Sequence, residues 1–161
     1  MDFSEIMGFL VSGNFLAALG CVFAIALAGR GSSVGLRLSG SAASGATAEK
    51  EKSFGSFLLL ESLPQTQIIY AFIIAILIVS SMLSGDFSVE KGLLSLAAGM
   101  VVGLSGLSAI EQGKTAAAAI GAVAKNQNIT GKVMIYVVMV EITALLGFII
   151  ALLLLIAGKV F

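Results

Sequence analysis

The chain alternates long apolar runs with short polar connections. A transmembrane helix needs about 20 mostly apolar residues to cross about 30 Å of hydrocarbon. The pattern therefore predicts an all-α membrane protein with four transmembrane helices. The four runs are Met7–Ala28, Leu63–Gly85, Leu93–Ile110 and Val133–Gly158, and only the last one contains a charge, Glu141.

Two segments of polar or small residues separate the first run from the second and the third from the fourth. These segments, Gly40–Lys52 and Gly121–Lys132, are predicted to continue the helices past the membrane. Short loops near residues 46–53 and 122–132 would then join each pair of helices. The chain is thus expected to form two helical hairpins lying side by side.

The two predicted hairpins, residues 1–85 and 86–161, resemble each other in sequence. The motif Phe-Ile-Ile-Ala at Phe72–Ala75 recurs 76 residues later at Phe148–Ala151. A repeat of two helices keeps its orientation in the membrane, so the hairpins are parallel duplicates. This arrangement argues against the inverted repeats that are common in secondary transporters.

The composition supports a membrane protein and excludes several functions. Hydrophobic residues make up 58% of the chain and charged residues 11%, whereas soluble domains carry about a quarter charged residues. The net charge is zero, so no basic surface suggests nucleic acid. The chain has no histidine and no glycine-rich phosphate loop, which argues that it is not itself an ATP-hydrolysing enzyme. The single cysteine, Cys21, is expected to be a small buried hydrophobe.

The basic residues predict the orientation of the chain in the plasma membrane. Seven lie in or beside the connections within the two hairpins, and only Lys91 and Lys159 lie on the opposite side. Since positive residues favour the cytoplasm, both connections are expected inside the cell and both termini outside. The seven are Arg30, Arg37, Lys50, Lys52, Lys114, Lys125 and Lys132.

Glu141 is the candidate functional carboxylate. An ionised carboxylate near mid-bilayer costs at least about 2.5–3.5 kcal/mol, so such residues usually have a function. The alternative is a structural carboxylate paired with a basic residue, although no Arg or Lys lies within one turn of it on its own helix. In the 76-residue register Gln65 occupies the matching position of the first hairpin. The duplicated unit therefore keeps one carboxylate in four helices.

A polar face precedes the apolar part of the second helix. Leu63, Thr66, Gln67 and Tyr70 stand at i, i+3, i+4 and i+7, which places them on one helical face. Pro64 removes a backbone donor and is predicted to bend this turn and loosen nearby carbonyls.

Such a face beside a carboxylate offers the oxygen ligands that a hard cation prefers. A proton needs only the carboxylate, so the face favours sodium. Hydrogen bonds that hold the helices together are the alternative interpretation. Gln112 on the third helix falls at a similar depth and is a candidate for one further amide oxygen.

The first and third helices are rich in glycine and alanine. Gly31-x-x-x-Gly35 and Gly99-x-x-x-Gly103 are patterns that allow helices to approach closely in lipid. The second and fourth helices instead carry bulky Ile, Leu and Phe residues. This contrast predicts an inner ring of tightly packed helices and an outer ring facing lipid.

At these residues the chain resembles the K (proteolipid, c-type) subunit of bacterial V-type sodium ATPases, over essentially its whole length. The resemblance implies that Na⁺ is bound by the Leu63 carbonyl, the Thr66 hydroxyl, Gln67, Gln112 and Glu141. Tyr70 would then hydrogen-bond the carboxylate. The matching stretches are Leu63-Pro64-Gln65-Thr66-Gln67 with Tyr70, Gln112-Gly113-Lys114 with the alanines to Ala119, and Val140-Glu141 with Leu145-Leu146-Gly147-Phe148.

The chain departs from this family at three positions. Gln65 stands where the family often has glycine, and Glu61 and Glu111 are acidic where neutral residues are expected. Glu61 is predicted to pair with Arg37 or Lys114, while Arg30 has no partner that the sequence identifies. None of these changes removes a ligand, but together they alter the electrostatics near the site.

The resemblance implies a rotary function. Copies of the chain would form a homo-oligomeric ring in lipid, beside a stator membrane subunit that supplies an arginine, and would contact the central-stalk subunits of the ATPase. Each ion neutralises Glu141, so a loaded site can pass through lipid without the charge penalty. The alternatives are a proton-translocating ring, a small dimeric ion-coupled transporter and a purely structural bundle.

Overall fold

The computed structural model describes residues 2–85 and 87–161, and within these ranges the chain is helical, with no strand. The α-helices are α1 (Phe3–Leu10), α2 (Gly13–Glu49), α3 (Phe54–Ser62), α4 (Thr66–Met82), α5 (Val89–Gly106), α6 (Ala109–Lys125) and α7 (Thr130–Ala157). Short 3₁₀ turns at Glu51–Ser53, Leu63–Gln65 and Gln127–Ile129 join or interrupt them.

Four helical segments in the described part of the chain are long and apolar enough to cross a membrane, which confirms the predicted number of spans. The predicted first run is wrong at its start, because a break follows Leu10 and the long helix begins at Gly13. The Ser12 side chain caps that helix by accepting a hydrogen bond from the Phe15 amide. The four segments are Gly13–Glu49, Glu51–Met82, Val89–Lys125 and Gln127–Ala157.

Within each hairpin the chain reverses at a short connection. The first lies between the end of α2 at Glu49 and the start of α3 at Phe54, and the second between α6 and α7. We call this end of the molecule the loop side and the opposite end the terminal side. The predicted boundary between the hairpins falls at Asp86, which lies outside the described residues, and stays a prediction.

The helix α2 packs directly on α5 and α6 through glycines. At Gly99 an added methyl group would overlap the backbone of Gly20, and at Gly113 it would overlap the backbone of Gly35. Contacts this close are possible only where neither helix presents a side chain, and in lipid they supply much of the packing attraction between helices. The two glycine-rich helices therefore form one tightly joined layer.

Two of the four membrane-crossing segments are interrupted. Pro64 lies in the 3₁₀ turn Leu63–Gln65 between α3 and α4, at the position where the sequence predicts a bend. A second interruption, at Leu107–Ser108 between α5 and α6, is not predicted from the sequence. The helices α2 and α7 run without interruption.

The buried apolar side chains form two clusters separated along the membrane normal. The terminal-side cluster includes Ile74, Val102 and Leu155. The loop-side cluster includes Phe57 and Ile120. Two fully buried glutamine side chains lie where the two clusters meet. On the outside, α4 and α7 expose large apolar side chains suited to lipid, among them Phe72, Ile76, Ile142, Leu146 and Leu153.

Candidate ion-binding site

The interruption at Pro64 brings three oxygen atoms together at the start of α4. The Thr66 hydroxyl oxygen lies 3.0 Å from the Leu63 carbonyl oxygen and 3.3 Å from Gln67 Oε1. A hydroxyl has one proton and can donate it to only one of these two acceptors. Three oxygens therefore share a single proton, which leaves an electron-rich cluster with unused lone pairs.

Two glutamine side chains cross the interior between the helices. Gln67 on α4 and Gln112 on α6 are both 0% exposed to solvent. The Gln67 Nε2 donates to Gln112 Oε1 over 2.5 Å, and Gln112 Nε2 donates to the Val137 carbonyl of α7 over 3.2 Å. Burying an amide without partners is costly, so this chain of hydrogen bonds fixes the relative positions of α4, α6 and α7.

Glu141 lies on α7, half buried, and its carboxylate is held from α4. Glu141 Oε1 accepts a hydrogen bond of 2.6 Å from the Tyr70 hydroxyl. The Tyr70 ring stacks on Phe148, about two helical turns beyond Glu141, with a centroid distance of 5.4 Å and an interplanar angle of 30°. Tyr70 lies one helical turn after Thr66, on the same face of α4. One tyrosine thus connects the carboxylate to the oxygen cluster at the start of α4.

All six residues predicted from the sequence contribute to this region. Leu63, Thr66 and Gln67 form the oxygen cluster, Gln112 joins it through Gln67, and Tyr70 joins it to Glu141. Gln65, which occupies the position of Glu141 in the first hairpin, is exposed and takes no part in these hydrogen bonds.

The predicted pairing of Glu61 with Lys114 is wrong. Lys114 Nζ lies 2.7 Å from Glu111 Oε1 on the same helix, and the side chains are 57% and 62% exposed. Glu61 instead lies against α2, with its carboxylate beside Gly40. Within the described residues Glu61 has no ion-pair partner, so the predicted pairing with Arg37 is also not seen in a single copy.

Sequence reasoning missed two contributors to the site. The Val137 carbonyl accepts from Gln112, and the Phe148 ring supports Tyr70. Val137 matches Glu61 in the 76-residue register, but no side-chain pattern in the sequence distinguishes either carbonyl. The Glu61 carbonyl likewise accepts a hydrogen bond of 3.0 Å, from the Ser39 hydroxyl of α2.

The donor set of the site consists of neutral oxygens and one carboxylate. Among the described residues, no group of three or more His, Cys, Asp or Glu comes together as a metal site. One carboxylate balances one positive charge, and carbonyl, hydroxyl and amide oxygens are suitable ligands for a hard cation. The arrangement is therefore suited to one monovalent cation, or to a proton on the carboxylate.

Comparison with known proteins places this chain among membrane subunits of rotary ATPases. A family model that describes the C subunit of ATP synthase matches residues 19–78 and again residues 96–154. The chain is 40% identical over 147 residues to the K subunit of the A-type ATP synthase of Methanocaldococcus jannaschii, covering 91% of this chain. It is also 40% identical over 152 residues to the K subunit of the V-type sodium ATPase of Enterococcus hirae, covering 92% of this chain.

The coverage of the two relatives differs. The matched region spans 64% of the length of the Methanocaldococcus protein and 97% of the Enterococcus protein. Both relatives are K subunits, and the family model matches this chain twice, once in each half. The chain is therefore a multi-pass membrane protein of the ATP synthase C-subunit family, a K-type proteolipid that contains the family's unit twice.

Proposed function

We propose that this chain is the rotor-ring subunit of a V/A-type ATPase and that it carries Na⁺ on Glu141. Membership of the family and the four membrane-crossing segments support the rotor. The observation that carries the ion assignment is the oxygen cluster of Leu63, Thr66 and Gln67, joined to Glu141 through Tyr70. The chain itself is not the catalyst, and other subunits hydrolyse ATP.

In this proposal the ligands are the Leu63 carbonyl, the Thr66 hydroxyl, Gln67, Gln112 and Glu141. Their oxygens replace the hydration shell of the ion. The Gln67 amide that donates to Gln112 turns away, so that Gln112 Oε1 becomes free to bind the cation. Tyr70 occupies one oxygen of Glu141 and leaves the other for the ion.

Charge neutralisation explains how a loaded site moves. Na⁺ and one carboxylate have no net charge, so the pair avoids the penalty for an ionised group in lipid. The stator subunit's arginine then displaces the ion as the ring turns. Each copy has four helices and one such carboxylate, so each turn moves few ions. The energy of ATP is then divided among fewer charges, each of which costs about 2.3 kcal/mol per 100 mV to move.

Proton transport is the alternative for the same ring. A proton needs the carboxylate but not the cluster at the start of α4, and this excess of oxygens supports sodium. The Enterococcus relative is part of a sodium ATPase by name, which also supports sodium. The name of the Methanocaldococcus relative specifies no ion.

The orientation and partners follow from the same proposal. The positive residues beside the loops favour a cytoplasmic loop side, with both termini outside the cell. The central stalk would contact the loop side, where α2 and α6 extend to Glu49 and Lys125. Identical copies, the stator subunit and lipid are the other partners.

Carbodiimide labelling of the detergent-purified protein tests the ion. Dicyclohexylcarbodiimide reacts with a protonated carboxyl in an apolar setting, and bound Na⁺ excludes the proton. We expect labelling of Glu141 that Na⁺ suppresses and that K⁺ at equal ionic strength leaves unchanged, with the Glu141→Gln variant as the unlabelled control. If Na⁺ does not reduce the extent of labelling at any pH, the ring carries protons.

Two further outcomes would contradict the proposal more broadly. Equal labelling of Glu61 and Glu111 would show that Glu141 is not the special carboxylate. Native mass spectrometry of the same preparation reports its assembly. A dimer in place of a closed ring of many copies would contradict the rotor assignment.

A further inference from the structure

The joint between the two hairpins within one chain is made by backbone contacts between inner helices. Gly35 of α2 lies against Gly113 and Ala109 of α6, and Gly31 lies against Gly106 of α5. A methyl group added at Gly113 would overlap the Gly35 backbone. These contacts fix which flank of the first hairpin faces the second.

The duplication predicts how the second hairpin meets the next copy. If copies form a ring, the second hairpin faces the first hairpin of its neighbour as the first faces the second within one chain. The 76-residue register converts one junction into the other. It maps Gly35 onto Glu111 and Gly113 onto Arg37. The closest glycine pair inside the chain thus corresponds, between copies, to two residues of opposite charge.

Neighbouring positions agree with this assignment. Gly106 maps onto Arg30, and Ala109 maps onto Ser33. Arg30, Ser33 and Arg37 are all exposed and stand at i, i+3 and i+7, so they form one flank of α2. This flank is not covered by the second hairpin of its own chain, because that hairpin lies on the side of Gly31 and Gly35.

In a single copy, the charged residues at these positions have either no ion-pair partner or only an exposed one. Within the described residues neither Arg30 nor Arg37 has an ion-pair partner. Glu111 contacts only Lys114 as an ion pair, on the same helix and with both side chains more than half exposed. Glu111 is adjacent to the buried Gln112, so it lies at the depth of the ion-binding site. Unpaired charges at such depth are costly, and paired ones much less so.

We propose that successive copies of this chain dock through an ion pair between Glu111 of one copy and Arg37 of the next, with Ser33 and Arg30 beside it. The occupant of the exposed α2 flank is therefore a second copy. The inference rests on the proposed rotor ring and adds the contact that sets its register. Because both residues have long side chains, the inner helices stand further apart between copies than within a copy.

Cysteine cross-linking tests the register directly. The background is Cys21→Ala, which removes the native thiol. In this background we combine Glu111→Cys with Arg37→Cys and treat the membranes with a short bifunctional methanethiosulfonate reagent. Two long side chains hold the Cα atoms further apart than the about 7 Å that a direct disulfide allows, so the reagent has to span the gap, and we expect a ladder of covalent oligomers on denaturing gels. Each single variant should remain monomeric there.

The matched control moves one cysteine along the same helix. Ser44 is exposed on α2 and lies seven residues beyond Arg37, which is about 10 Å along the helix axis. Glu111→Cys combined with Ser44→Cys should give no ladder. A ladder of equal yield from both pairs would show non-specific collision and would overturn the proposed contact.

Charge exchange tests the ion pair without cysteines. Glu111→Lys and Arg37→Glu should each shorten the dissociation half-life of the detergent-solubilised ring by at least about tenfold, because each places like charges in contact. The double variant restores opposite charges and should recover most of the wild-type half-life. Sodium protection of Glu141 from carbodiimide should be unchanged wherever the ring is intact.

The two proposals fail in distinguishable ways. A wild-type protein that forms no closed ring in native mass spectrometry contradicts the rotor. The wild-type protein can instead form a ring while the Glu111→Cys and Arg37→Cys variant does not cross-link and the double charge exchange does not restore stability. That result overturns only the ion pair.

Discussion

The two hairpins of this protein have similar sequences but are interrupted in opposite helices. In the first hairpin the inner helix α2 is continuous, and the outer segment is interrupted at Leu63–Gln65. In the second hairpin the inner segment is interrupted at Leu107–Ser108, and the outer helix α7 is continuous. Each hairpin therefore contains one straight and one interrupted segment, in exchanged places.

This difference divides the candidate site between the hairpins. The interrupted outer segment of the first hairpin contributes the Leu63 carbonyl and the side chains of Thr66, Gln67 and Tyr70. The continuous α7 contributes Glu141. The second hairpin lacks the polar face, since Gln67 matches Thr143 and Tyr70 matches Leu146 in the 76-residue register. Duplication has thus produced two halves that are not interchangeable.

The largest effect is expected where the halves differ in charge. Glu141→Gln removes the only carboxylate of the candidate site, so we expect ion binding and coupled transport to be abolished. The change is nearly isosteric, so the ring should still assemble. Radioactive sodium binding and native mass spectrometry measure the two properties. The matched variant in the first hairpin, Gln65→Ala, should retain transport, and transport retained by Glu141→Gln would assign the ion to another carboxylate.

A smaller effect is expected from removing one neutral ligand. Gln67→Ala deletes a buried amide oxygen and leaves Gln112 without its hydrogen-bond donor. The cation would then lack one oxygen ligand in a dry site, a loss of about 1–3 kcal/mol, so the dissociation constant for Na⁺ should rise about 5- to 150-fold. Carbodiimide labelling of Glu141 should persist, with Na⁺ protection shifted to higher concentration.

The register supplies the control for this variant. Thr143 occupies the place of Gln67 in the second hairpin and is exposed. Thr143→Ala should leave Na⁺ protection at the wild-type concentration. If Gln67→Ala also has wild-type affinity, the polar face only joins the helices, and the ring carries protons.

A third variant separates the hydrogen bond to the carboxylate from the packing around it. Tyr70→Phe keeps the ring stacked on Phe148 but removes the hydroxyl that donates to Glu141. A hydrogen bond to a charged group contributes about 1.5–3 kcal/mol; because bound Na⁺ already neutralises the carboxylate, we expect about a tenfold loss of affinity. Tyr136→Phe on the exposed face of α7 is the control and should change nothing in the same titration.

The smallest effect is expected where the hairpins are the same. Gly45 and Gly121 occupy matching positions near the loops, and a methyl group added at either would meet no atom within 4 Å. Alanine should therefore stabilise each helix by about 0.5–1 kcal/mol. Thermal unfolding in detergent measures this change. Unequal shifts for the two alanine variants would show that the loop sides of the hairpins are packed differently.

The sequence predicted the elements of the fold better than their interruptions. Long uncharged runs have few alternatives to transmembrane helices, and the ring of Pro64 cannot fit a regular helix. The interruption at Leu107–Ser108 has no comparable signal. Gly106 precedes it and lowers helix propensity, but Gly99 and Gly103 lie inside α5 without interrupting it. The packing against α2, which the sequence does not specify, determines which of these glycines lies next to an interruption.

The site shows the same limit. Helical spacing was enough to place Thr66, Gln67 and Tyr70 on one face, and the apolar setting of Glu141 marked it as functional. The contact of Gln67 with Gln112 depends on how far α4 and α6 rotate about their axes, which only the assembled bundle fixes. The Val137 carbonyl could not be identified from its side chain, because its role depends on the backbone alone.

The exchanged interruptions have a mechanical consequence for a molecule that turns. The continuous α2 has 37 residues and a length of about 55 Å. Its uninterrupted backbone hydrogen bonds make it a rigid helix. At Leu107–Ser108, between α5 and α6, the regular helical hydrogen bonds are interrupted. Within the described residues the Ser108 hydroxyl is buried without a hydrogen-bond partner. We therefore expect torque to bend the molecule at this joint before it bends α2. The joint lies four residues from Gln112, so elastic deformation and ion occupancy would act on the same turn of the protein.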